Sequence, residues 1–234
     1  MTNQHKTSAH ERKIAPQIFH PRFAAFYEWF SHLSQQRRLL DPLREATAGQ
    51  AFGVALEVGA GTGLNFAWYD PARVERVEAT EPDSAMLVHA RERAAQAAVQ
   101  IVLTQAPVEA LPWASATFDS AVVTLVLCSV PDPVQGLQEI KRVLKPGGTL
   151  FLFEHVRSKT TMLARVQDAL VPLTARLFGN CHWNRDAQHL VEEAGFQMVQ
   201  VRAVAGGFPL MPHLLLQARC QEEGAVLRST RSSI

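Results

Sequence analysis

The chain has 234 residues, 47% of them hydrophobic and 19% charged, with a formal net charge of +1. That length fits one domain, and the apolar share supplies a substantial core and excludes a disordered chain. The near-neutral balance gives nucleic acid no bulk field to bind.

Residues 1–13 are polar and lack the apolar core of a secretory signal, and residues 221–234 are weakly patterned, so both read as frayed tails. From Pro21, Phe23, Phe26, Tyr27, Phe30 and Leu33 fall at helical spacing, and a second helix covers Leu39 to Ala46, with Gly49 as its stop signal. Strand and helix signals then alternate. Strands are expected at Val54–Val58, Val74–Thr80, Ile101–Thr104, Ser120–Cys128 and Thr149–Phe153. Between them lie a short helix from Leu64, broken by Pro71, an alanine-rich helix over Ser84–Ala97, and one carrying Leu137, Ile140 and Leu144 on one face. An apolar helical stretch from Met162 to Phe178, interrupted by Pro172, a helix from Asp186 to Gly195, and strands Gln197–Ala203 and Leu214–Arg219 complete the chain. Such alternation predicts an α/β fold: a doubly wound, mostly parallel seven-stranded sheet with helices on both faces. A ligand of such a sheet belongs at the carboxyl ends of its strands. The glycine loop after the first strand, Glu81, Leu125 to Val130 and Glu154-His155 all fall on that edge.

Leu56-Glu57-Val58-Gly59-Ala60-Gly61-Thr62-Gly63 joins the first strand to the segment that follows. Glycines remove the Cβ where a chain turns sharply or a ligand meets the backbone. A dinucleotide site would have a third glycine at Leu64 beside the pyrophosphate, and Glu57 would repel that group while attracting a cation. This speaks against a nucleotide-dependent oxidoreductase. Glu81, 22 residues after Gly59, can accept hydrogen bonds from both hydroxyls of a ribose.

The glycine loop resembles motif I of the class I S-adenosylmethionine (SAM) methyltransferases. Val108-Glu109-Ala110-Leu111-Pro112 with Phe118-Asp119 resembles that family's adenine-binding segment, although Pro107 stands where many members carry an aspartate. Arg142-Val143-Leu144-Lys145-Pro146-Gly147-Gly148 resembles its turn into strand five. The resemblance covers residues 54–154 and implies SAM as cofactor, held by Glu57, Gly59, Gly61, Gly63, Glu81, Pro82, Val108, Glu109 and Leu125. It implies a single domain over 1–234: N-terminal helices forming a lid at 14–48, a SAM-binding core at 49–155, and acceptor-side helices and last strands at 156–220.

Thr124 to Val130, Glu154-His155-Val156 and Gly179-Asn180-Cys181 through Arg185 resemble the methyltransferase-like-seven proteins of animals and their bacterial relatives. That implies methylation of a small thiol on sulfur. The alternatives are N- or O-methylation of a lipid amine, quinone precursor or other metabolite, or a non-catalytic SAM-binding module. His155 is the candidate base, and Tyr27, Cys128 and Cys181 are candidate walls of the acceptor pocket. Cys128, Cys181 and Cys220 are odd in number and widely separated, so neither a disulfide framework nor a metal-ligand spacing emerges. A reducing cytoplasm is the expected setting, with no membrane span, metal or obligate protein partner.

Overall fold

The computed structural model describes residues 18–177, 179–204 and 210–221, with side chains at 34–37 left undescribed. The expected tails lie outside the described residues except for Gln221, as does Phe178. Seven strands form one sheet in the order β3-β2-β1-β4-β5-β7-β6. β1 (Gly53–Val58), β2 (Val74–Thr80), β3 (Ile101–Thr104), β4 (Phe118–Thr124) and β5 (Leu144–His155) are mutually parallel. β7 (His213–Cys220) runs antiparallel between β5 and β6 (Phe196–Val204). The α/β architecture expected from the alternating pattern is what forms.

Alternation along the central strands serves two cores. Leu56, Val58, Ala121 and Val123 face one side, where they meet Leu137, Ile140 and Val143 of α4 (Pro133–Val143) and Val191 of α6 (Ala187–Glu193). Ala55 and Val122 face the other, with Phe66, Val77 and Ala90 of α3 (Ser84–Ala94). The crossover helices start where side chains satisfy their free N–H groups. Asp83 accepts from Ala85 N, Asp132 from Gln135 N and Asp186 from His189 N, and Pro133 opens α4 with its fixed φ.

Several boundaries differ from the sequence reading. β4 ends at Thr124 rather than running to Cys128, because Leu125 takes a positive φ of 57° and the next two N–H groups leave the ladder for the Glu154 carboxyl. β5 begins at Leu144 because Leu144 pairs with Phe118 before the register shifts across Lys145 to Gly148. The segment from Leu64 forms turns and one short 3-10 turn at Phe66–Trp68 instead of a helix. α2 (Ser34–Glu45) starts before Leu39 and carries Pro42 in its interior; its Leu40 and Leu43 pack on Phe153 and Leu125. α5 (Thr161–Leu177) continues through Pro172, with Ala164, Gln167 and Val171 facing inward. One backbone hydrogen bond is lost there, and the buried face keeps the helix whole.

Gln167 fastens α5 to the sheet. It is fully buried, and its amide nitrogen donates to the carbonyls of Val156 (3.2 Å), Trp183 (3.3 Å) and Leu210 (3.1 Å), while its oxygen accepts from Ser158 N at 2.8 Å. Two amide protons serving three carbonyls means that one is shared. Gln167→Leu keeps the volume but strands four backbone groups. We expect a loss on the order of 3 kcal/mol in urea unfolding and faster proteolysis between residues 156 and 186.

Candidate active site

The strand order reverses between β1 and β4, and the loops after β1, β2, β4 and β5 meet at that switch point. The glycine loop is packed from below and open above. Gly59 (φ 63°) lies under the β4–α4 turn, where a Cβ would stand 2.6 Å from Val126 Cγ2. A Cβ on Gly63 would meet the Phe66 ring. Gly61 (φ 56°) differs: a Cβ there would meet nothing within 4 Å. Beside that open side, Glu81 accepts from Gly61 N and from Asp83 N, both at 2.8 Å. Burial pushes the Glu81 carboxyl up to about 7, against the pull of these two N–H groups.

Glu57 does not face the open side. Only 1% exposed, it accepts from Asn65 Nδ2 (3.0 Å) and from the Tyr69 hydroxyl (2.7 Å), so it braces the loop from within. The expectation that it attracts a cationic ligand directly is corrected by this inward turn. Burial raises its pKa to about 7 despite those bonds. Val108 likewise turns its side chain into the core against Gly136, which leaves its backbone as the part available to a ligand. Glu109 directs its carboxylate to Asp132 N (3.3 Å) at the start of α4, and the Pro82 carbonyl accepts from Gln105 Nε2 (3.0 Å). Leu125 packs on α2 and donates its N–H to the Phe153 carbonyl.

α1 (Pro21–Ser31) packs on α3 beside this edge, with Ala24 against Ala85 and Met86. Arg93 on α3 donates to the Glu28 carboxylate and to the Thr62 carbonyl (2.6 Å), which ties α1 to the glycine loop. Desolvation works against the Glu28 carboxylate, yet the bonds from Arg93 and His32 bring its pKa down to about 2. Tyr27 comes within electrostatic reach of Arg44, Cys128 and Glu81, and burial raises its pKa. Arg44 is 5% exposed; one nitrogen bonds Asp41, while its Nε has no hydrogen-bond partner among the described residues. The sequence reading passed over Arg44, whose place within a polar helix gives no hint of burial.

His155 is the last residue of β5, and its Nδ1 lies 3.7 Å from Cys181 Sγ. Burial pulls the imidazole down, but Cys128 and the Glu154 carboxyl outweigh it and the net shift is upward. Cys128 is buried in the turn after β4, not on the strand, and its thiol is raised chiefly by the contact with Cys181 and by burial. Cys181 reaches this spot because its segment is docked on the β4–α4 turn. His182 N donates to the Cys128 carbonyl (2.6 Å), and Arg185 Nη1 donates to the carbonyls of Leu127 and Val130. The structure thus gathers His155, Cys128 and Cys181 at one end of the edge and Gly61 and Glu81 at the other, with Tyr27 within electrostatic reach of both.

A family profile described as a methyltransferase domain matches residues 56–152. Thiol S-methyltransferase TMT1B of Rattus norvegicus is 34% identical over 192 residues, which cover 79% of this chain and 78% of that protein. The chain belongs to the class I SAM-dependent methyltransferases, near the TMT1 group. The methyl donor of this methyltransferase is therefore S-adenosylmethionine. Phosphatidylethanolamine N-methyltransferase of Cereibacter sphaeroides is 33% identical over 138 residues, covering 57% of this chain and 64% of that protein. Among solved structures, N-methyltransferase NodS from Bradyrhizobium japonicum, in complex with S-adenosyl-L-homocysteine, shares the fold with a TM-score of 0.62 at 18% identity, over 82% of this chain and 90% of that one. No helix among the described residues of the methyltransferase is long and apolar enough to cross a membrane.

His213, also missed by the sequence reading, stacks on Phe153 (5.1 Å between ring centres) and lies 4.7 Å from the His155 ring. It is 6% exposed, its Nδ1 is unpartnered among the described residues, and burial lowers its pKa from 6.5 to about 4. Between those two values the unfolded chain binds the proton and the folded one does not, so this group costs stability as the pH falls through that window. His213→Phe keeps the stacked ring and removes the penalty. Unfolding free energies from urea titrations should fall less for the variant than for the parent between pH 6.5 and 4, by no more than about 3 kcal/mol.

Proposed function

We propose that this methyltransferase moves the methyl group from SAM to the sulfur of a small, largely apolar thiol, working in the cytoplasm. The observation that carries the reading is the reach of the similarity to the thiol S-methyltransferase. It extends over 79% of the chain, well past the 56–152 methyltransferase profile.

The residues of the edge fit the donor. Gly61, Glu81 and Arg44 would hold it: the open side of Gly61 takes the nucleoside, Glu81 keeps lone pairs for ribose hydroxyls, and the buried Arg44 cation suits the amino acid carboxylate. Gly59 and Gly63 shape the loop, and Val108 offers its backbone. Bound SAM supplies a methyl carbon activated by the adjoining sulfonium. The protein's part is then to align the acceptor in line with that carbon and to keep water away. α1 with Tyr27 serves as the lid, and α5 with residues 179–185 as the acceptor wall. A thiol needs little help, since a pKa near ~8.5 leaves a few per cent thiolate at neutral pH. In this reading His155, 3.7 Å from Cys181, would accept the proton of a thiol not yet ionised.

The second reading is N-methylation of a lipid amine, which the similarity to the phosphatidylethanolamine enzyme favours over a shorter span. A mixed panel of alkyl thiols, amines and phenols with isotope-labelled SAM, read by mass spectrometry, separates the two. Labelled thioethers are expected; labelled amines or phenyl ethers without thioethers would sink the thiol reading.

For the donor site, Gly61→Val should raise the dissociation constant of S-adenosylhomocysteine at least 100-fold in calorimetry. The branched side chain would fill the open space and be strained at a φ of 56°. Far-UV dichroism checks that the variant folds. Unchanged affinity would refute this placement of the nucleoside.

A further inference from the structure

Cys128, His155 and Cys181 come from three separate segments, and no spacing along the chain announces them. In the structure, one ligand atom of each lies within 4.8 Å of the other two, and His155 Nδ1 stands 3.7 Å from Cys181 Sγ. We propose that these three side chains bind zinc, with the fourth position of the ion open for the acceptor thiol. The ion site is independent of the thiol reading; the use of its fourth position rests on it.

Geometry and chemistry favour this occupant. Tetrahedral zinc with Zn–S of ~2.3 Å and Zn–N of ~2.0 Å sets neighbouring ligand atoms ~3.5–3.8 Å apart. The His155–Cys181 separation already has that value, and a side-chain movement of about 1 Å closes the rest. Two thiolates and an imidazole select a borderline-soft d10 ion over magnesium or calcium. Three protein ligands with one position free are the arrangement of catalytic rather than structural zinc.

The ligands are also held in place before any ion arrives. Glu154 accepts from Val126 N (2.5 Å) and Leu127 N (2.6 Å), which fixes the turn carrying Cys128. Arg185 and Asn180 Nδ2, bonded to the Val130 and Ser129 carbonyls, dock the segment carrying Cys181 onto the same turn. Cys220, by contrast, is a buried thiol against the Lys141 carbonyl, outside the cluster.

At the fourth position an alkanethiol binds the ion and gives its proton to water, so the acceptor is a thiolate at neutral pH without a protein base. Its sulfur attacks the methyl carbon. The new S–C bond forms as the sulfonium–methyl bond breaks, and that electron pair remains on the sulfur of S-adenosylhomocysteine. The product thioether is a neutral, weaker ligand and leaves. His155 is then an ion ligand rather than the base.

The test uses the untagged full chain. Metal content of the purified protein is measured, the metal is stripped with a chelator, and cobalt(II) is titrated in its place. We expect about one equivalent bound, with intense tetrahedral bands and thiolate-to-cobalt charge transfer. Cys181→Ser and His155→Ala should each weaken binding at least 30-fold while retaining S-adenosylhomocysteine affinity, and Cys220→Ser should change nothing. A weak octahedral spectrum, or one unaltered by Cys181→Ser and His155→Ala, would overturn the site. A short alkanethiol added with S-adenosylhomocysteine should add charge-transfer intensity, and no added intensity would overturn the fourth-position role. Undiminished thiol methylation by stripped protein would overturn the role of the ion and leave the thiol reading standing. A cobalt site with both thiolates, but no thiol ever methylated, would support the ion site and overturn the thiol reading.

Discussion

The edge where the two halves of the site meet depends on one buried carboxyl. Glu154, with no measurable exposure, captures the N–H groups of Val126 and Leu127 as the chain leaves β4. That capture ends the strand and seats Val126 over Gly59, and it carries Cys128 round to His155 and Cys181. Its second oxygen is buried without a partner among the described residues, and burial raises its pKa well above the carboxylate range. The two backbone N–H groups work against that shift, because they stabilise the charged form that burial penalises. The glycine loop and the sulfur cluster are therefore positioned by one side chain that belongs to neither.

Much of the fold could be read from the sequence because periodicity and turn chemistry agree with it. β2 and β3 have the expected bounds, and Gly195, with a φ of 80°, stands just past the end of α6; Gly49 instead lies inside a 3-10 turn beyond the end of α2. The errors share a physical origin. Leu125, Val126 and Leu127 look like strand because they are apolar, but Leu125 takes a positive φ and a carboxyl 28 residues from Val126 captures the next two N–H groups. Pro172 looks like a break, but burial of Ala164, Gln167 and Val171 in the turns before it outweighs the lost hydrogen bond. Local patterns report local preferences, and these positions are decided by tertiary partners.

The site was legible where backbone conformation leaves a mark in residue type, as at Gly59, Gly61 and Gly63. It was not legible where a common residue does uncommon work. Glu57 belongs to the motif yet turns inward, and nothing in its neighbours tells a brace from a ligand. Arg44, Gln167 and His213 each occupy a buried position that their residue types rarely take, and burial of a polar side chain cannot be read from a single chain. Cys128, His155 and Cys181 are 27 and 26 residues apart in sequence and meet only because β4, β5 and the segment after α5 end on one edge.

The ion pair between Glu28 and Arg93 has a consequence for turnover. It bridges α1 and α3 and also grips the Thr62 carbonyl within the glycine loop, so a lid formed by α1 is latched to the floor it covers. If α1 acts as the proposed lid, a spent donor would leave and a fresh one enter only after this pair unlatches. Methyl transfer and donor exchange then pull this pair in opposite directions: a firm latch keeps water out, and a loose one empties the site sooner. The speed of such an enzyme would be tuned at a pair of surface-reaching side chains that never touch the reacting atoms.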